Sequence, residues 1–151
     1  MRAVLLTLLL TFASQPKAEI VDSRFELANL SSVSVTLEDD AINACWTNLK
    51  EVREYAEEKL HMQGVNVDDE KLPMATENDY TLFIKVFSQR LYENGNGPCH
   101  GTVEISLQTF VLINGVLHVA YIASDGRLTA NKRNLNQAVI ETVSDFIAEI
   151  R

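Results

Sequence analysis

The chain has 151 residues, 21 of them acidic and 13 basic, for a formal net charge of −8 at pH 7. A negative balance of that size repels phosphate backbones and anionic headgroups, which argues against nucleic-acid binding and against adhesion to an acidic membrane surface. The length allows one sizeable core, and no repeat, low-complexity run or Pro/Gly-rich linker divides the chain.

Met1 to Ala18 has a basic residue at Arg2, an apolar run from Ala3 to Phe12 and a more polar end with small residues, the layout of a secretory signal. The apolar run is about half the roughly 20 residues that a spanning helix needs, so stable membrane insertion is not expected. Cleavage after Ala18 suits the small-residue preference, with Ala13 as the alternative. No cysteine lies in or just after the run, so the thiol that a lipoprotein acylates is missing. Removing residues 1–18 takes away Arg2 and Lys17 and no acid, which moves the net charge from −8 to −10. Residues 19–151 are expected to form one domain.

Within that domain, Val33, Val35 and Leu37 alternate with polar residues and predict a strand. Asp39 or Asp40 is expected to cap a helix whose stripe is Ile42, Cys45, Trp46, Leu49, Val52, Ala56 and Leu60. The other face of that helix, with Lys50, Glu51, Arg53, Glu54, Glu57, Glu58 and Lys59, is an ordinary solvated back. Gly64 marks the helix end, and Val65-Asn66-Val67 predicts a short second strand. Asp68 to Asn78, acidic and containing Pro73, is expected to be a surface loop.

Tyr80, Leu82, Ile84 and Val86 alternate over a long strand whose second face is also partly apolar. The turn-rich Glu93 to Pro98 leads through Cys99 into Val103, Ile105, Leu107, Thr109 and Val111, and Asn114-Gly115 is a type I′ hairpin signal before Leu117, Val119, Tyr121 and Ala123. Ser124-Asp125-Gly126 predicts a further turn, with a brief extended piece over Arg127 to Ala130. Leu135, Val139, Val143, Phe146, Ile147 and Ile150 recur at helical spacing and close the chain.

The expected order is β-α-β-β-β-β-α: an α+β fold with a mixed, largely antiparallel sheet of about five strands and two helices on one face. The other face, carrying Ser106, Gln108, His118 and Lys85, would look toward solvent or a partner. Cys45 and Cys99 are the only cysteines, and an even count in an exported chain reads first as a disulfide. Two buried free thiols, or half of a metal site with His100, are the alternatives.

This order of elements resembles the small periplasmic α/β domains at the N-terminus of TolB and in the curli-secretion lipoprotein family. The resemblance rests on the helix ending at Gly64-Val65-Asn66-Val67, the strand entry Asp79-Tyr80-Thr81-Leu82, the two hairpins and the closing helix from Leu135 to Ile150. It implies contacts with other proteins in envelope assemblies and no enzymatic activity. The chain departs from those domains in lacking a lipid-anchor cysteine and in carrying the Cys45/Cys99 pair.

Signals for chemistry are sparse. His61, His100 and His118 have no pairing in their spacing, and no GxSxG, HExxH, Walker or GxGxxG pattern occurs. Asp68, Asp69, Glu70, Glu77 and Asp79 do not have the spacing of an EF-hand loop and read as a solvated acidic segment. Asn29-Leu30-Ser31 matches a glycosylation sequon, which in a bacterium would carry no expectation. The sequence therefore favours a periplasmic or secreted protein-interaction domain, with no cofactor and another envelope or secreted protein as partner. A small-molecule or lipid-binding module using Phe83, Phe87 and Phe110 comes second, and an enzyme built around His100 or the Asp125 turn last.

Overall fold

The structure, a computed structural model, describes residues 27–68, 80–92, 95 and 97–150. After a single 3-10 turn at Leu27–Asn29 the elements are β1 (Val33–Ala41), α1 (Leu49–Met62), β2 (Tyr80–Arg90), β3 (Cys99–Ile113), β4 (Val116–Asn131) and α2 (Asn136–Glu149). The fold class is α+β. The strands lie in the order β1-β2-β3-β4, with β1 parallel to β2 and the other pairs antiparallel.

Period-2 alternation decides which sheet face is covered. Val33 and Val35 of β1, Leu82, Ile84 and Val86 of β2, and Val103, Ile105 and Leu107 of β3 share one face through the observed register and are all buried. Against them α1 packs on β1 through Val52, Ala56 and Leu60, while α2 packs on β3 and β4 through Val139, Val143, Phe146 and Ile147. At roughly 1.5–3 kcal/mol for each large side chain removed from water, this face is the main source of stability.

Specific hydrogen bonds hold the end of α1 and the start of α2. At the end of α1, Gly64 adopts φ +82° and donates to the His61 carbonyl at 2.9 Å, while Val65 donates to the Leu60 carbonyl at 3.1 Å. These are the two bonds of a Schellman cap, which needs a residue that tolerates the left-handed conformation. Asn136, at the start of α2, accepts from the Thr47 amide at 3.0 Å and donates to the Thr47 hydroxyl at 2.9 Å. The two helix entries are thereby fastened to each other.

Three expectations are corrected. The sheet has four strands, because Val65-Asn66-Val67 forms only an isolated bridge from Val67 to Val33. Ser124-Asp125-Gly126 is no turn either: β4 runs straight through it, paired with Ser106, Ile105 and Glu104, and Arg127 to Ala130 is its continuation. Asp125 satisfies the Gly126 amide at 2.8 Å and meets Arg127 at 3.1 Å, so the turn-forming residues spend their polar groups within the strand. The third correction is at the start of α1. Asp39 and Asp40 belong to β1, which runs to Ala41, and Asn43 and Ala44 at φ 56° and 57° end it before buried Cys45 and Trp46. Ile42 is exposed, and the helix begins at Leu49.

Candidate functional site

The face of the sheet opposite the helices is covered by no element of the described fold. By register it carries Glu38 and Asp40 of β1, Phe83, Lys85 and Phe87 of β2, His100, Glu104, Ser106, Gln108 and Phe110 of β3, and Tyr121, Ser124 and Leu128 of β4. Alternation places them there as directly as it places the core on the other side.

At its centre lies a shallow groove of about 640 Å³ between Phe83, Lys85, Glu104, Gln108 and Tyr121. Lys85 is held by Glu38, and its Nζ lies 3.1 Å from Asp40. These bonds, that to Glu38 first and that to Asp40 second, raise the Lys85 pKa above the ordinary lysine value and keep it cationic. Gln108 donates to the Ser106 hydroxyl at 2.6 Å, and Tyr121 is 66% exposed. A second depression of about 490 Å³, nearer the Cys99 end, is formed by Phe87, His100, Thr102 and Leu128. Phe87 is 55% and Leu128 88% exposed.

The residues singled out from sequence are distributed as follows. Cys45, between β1 and α1, is bonded to Cys99, the first residue of β3, with their Cα atoms 5.5 Å apart; both are fully buried. Lys85, Ser106 and Gln108 do share the open face. His118 does not: it pairs with Val111, whose parity is that of the helix-covered side, beyond the end of the helices' core. Phe83, Phe87 and Phe110 lie on the same face. His61 ends α1 and His100 lines the second depression, so the histidines stay apart. Asp125 is bonded to Arg127, which also reaches Asp145 of α2 at 2.7 Å. Of the acidic segment only Asp68 falls within the described residues, as the signal segment 1–18 falls outside them. Among the described residues no cluster of His, Cys, Asp and Glu has the makings of a metal site, and no helix is long and apolar enough to cross a membrane.

Sequence reasoning missed the contributions of Tyr121, Leu128 and the Glu38–Lys85–Asp40 group. The last was hidden because the acidic run was taken for a helix cap. It also missed the far end of the β3–β4 hairpin. β2 begins pairing at Tyr80 opposite Thr109, so Phe110 to Val119 extends past the sheet as a two-stranded arm. Leu112, Ile113, Val116, Leu117 and Val119 on it are all exposed. The available signal was charge: from Ile105 to Ser124 there are 20 residues without one Asp, Glu, Lys or Arg.

No family model matches the chain, and no curated protein matches it. Among solved structures, the chain is similar to a minor lipoprotein from Acinetobacter baumannii at 10% identity, with 80% of this chain and 87% of that one covered and a TM-score of 0.38. It is also similar to an uncharacterized protein at 12% identity, with 78% and 84% covered and a TM-score of 0.32. These comparisons name neither TolB nor the curli-secretion family.

Proposed function

We propose that the protein is exported and serves as a non-enzymatic interaction domain of the cell envelope or secreted space, receiving another protein on the helix-free face of its sheet. Export is supported by the apolar leader read from the sequence and by the Cys45–Cys99 bond, which persists in an oxidising compartment. The observation that carries the binding reading is the open face itself: Phe83, Phe87, Tyr121 and Leu128 stand exposed or half-buried around Lys85, which is paired with Glu38 and Asp40. Aromatic anchors among polar groups on a shallow surface suit a protein partner. Sites for small molecules are concave and enclose most of the ligand. His100 lacks an orienting carboxylate among the described residues, and its Nδ1 has no hydrogen-bond partner there, which favours binding over catalysis.

A photo-crosslinking amino acid placed at Phe87 or Leu128 tests this in the exporting cell. A discrete adduct from those positions, with none from Glu54 on the exposed back of α1, is the expected result; identical patterns from both would count against the reading. The second reading, a small-molecule or lipid site, draws on the apolar depression between Phe87 and Leu128. Native mass spectrometry of the purified protein decides between them, since a bound small ligand adds a fixed mass.

A further inference from the structure

We propose that the β3–β4 arm is a self-association element: β4 pairs antiparallel with β4 of a second copy about a two-fold axis, joining two sheets edge to edge. The inference is independent of the partner proposed for the open face.

The two edges of the sheet are unlike. β1 presents Glu38, Asp39 and Asp40 near its C-terminal end, is bridged at Val33 by Val67, and accepts at its Val35 carbonyl from the Arg53 guanidinium. Charges and capped carbonyls are how an edge avoids added strands. β4 is the other edge, and from Val116 to Ser124 it has neither proline nor a charged Asp, Glu, Lys or Arg; a bulge at Ile122 is its only irregularity.

Charge identifies the occupant. Two exported chains of net charge −10 repel each other electrostatically, and the arm is where they can meet without opposing carboxylates. In a symmetric pairing centred near Ala120, Val119 faces Tyr121 of the second copy, both exposed and on the open side of the sheet. The nearest charged residue on β4, Asp125, lies beyond the bulge at Ile122 and outside this pairing. Val119 of each copy meets Tyr121 of the other, the self-complementarity a two-fold interface requires. A bilayer is a poorer occupant, because hydrocarbon cannot satisfy the free backbone groups of an open edge.

Sedimentation equilibrium on the oxidised protein up to about 0.5 mM, enough to populate a dimer with a Kd of ~0.1 mM, tests the proposal. A concentration-dependent dimer is expected, weakened at least about tenfold by Val119→Lys and by Tyr121→Lys. Each substitution adds one positive charge to an acidic chain, which by itself would favour association, so a loss reports the arm. Gln137→Lys on α2 makes the same charge change elsewhere and is expected to leave the dimer intact. Far-UV circular dichroism and an intact disulfide establish that each variant is folded. A monomer throughout the range, or a dimer indifferent to both arm variants, overturns the proposal; the first result would leave the arm to a strand from another protein.

Discussion

Lys85 of β2 donates a hydrogen bond to Glu38, its register partner on β1, and faces Glu104, its register partner on β3. With Asp40 also in reach, one cation stands among three carboxylates on the open face. Replacing it by methionine leaves those acids facing one another. Lys85→Met is expected to be less stable than the native protein at pH 7, and the difference to shrink in high salt because the group is exposed and screened.

The pH dependence has a defined sign. Because the folded-state pKa of Lys85 is raised, its contribution is complete below the ordinary lysine value of about 10.4 and declines as pH rises beyond it. Urea midpoints of native and Lys85→Met protein should therefore stay apart by a constant amount from pH 8 to about pH 10 and converge above that. A gap that narrows between pH 6 and 8 would assign it to another group.

The bond from Cys45 to Cys99 closes a loop with a sequence separation of 54. In the chain-entropy account such a loop stabilises the folded state by about 4 kcal/mol. The double substitution Cys45→Ala, Cys99→Ala is expected to lower the unfolding free energy by about 2–5 kcal/mol, read from denaturant curves. The native protein should lose a similar amount in reductant and the variant none.

Ile84 and Leu128 are both aliphatic strand residues with opposite environments, one fully buried and the other exposed. Ile84→Ala is expected to cost roughly 2–5 kcal/mol through lost burial and the cavity it leaves. Leu128→Ala is expected to change stability by no more than about 0.5 kcal/mol. Denaturant midpoints at unchanged slope check both.

Gly101 of β3 lies opposite Ser88 of β2, where a Cβ would come within 2.1 Å of the Phe87 carbonyl oxygen and 2.6 Å of the Ser88 Cα. Both obstacles are backbone, so the strands themselves would have to part. Gly101→Ala is expected to destabilise by roughly 1–3 kcal/mol, measured by thermal unfolding of the oxidised protein.

The elements set by strict periodicity were legible in the sequence. Tyr80 to Phe87, the Asn114-Gly115 hairpin and the stripe from Leu135 to Ile147 fall where alternation, turn chemistry and helical spacing put them. The errors came where tertiary partners overrode local signals. Asp39 and Asp40 look like helix caps until Lys85 is placed beside the strand that holds them. Ser124-Asp125-Gly126 looks like a turn until β3 is seen pairing along it. Of the open face, Phe83, Lys85 and Phe87 could be assigned by parity along β2, and Phe110 by parity along β3. The bulge at Ile122 made the facing of β4 depend on a register that no local pattern reveals, which is why His118 was misplaced and Tyr121 overlooked.

The parallel pairing of β1 with β2 bears on the order in which the sheet assembles. β3 and β4 meet across the two turn residues Asn114 and Gly115, but β1 reaches β2 only after the chain has gone through residues 42–79, helix included. Closing the longer connection costs more chain entropy before any strand contact repays it, so the hairpin can form early while β1 must wait. During that interval the hydrogen-bonding edge of β2, with apolar side chains on both faces, stays open to other chains. Joining Cys45 to Cys99 tethers the start of the crossover to the foot of β3 and so lowers the chain entropy that is lost when β1 docks on that edge.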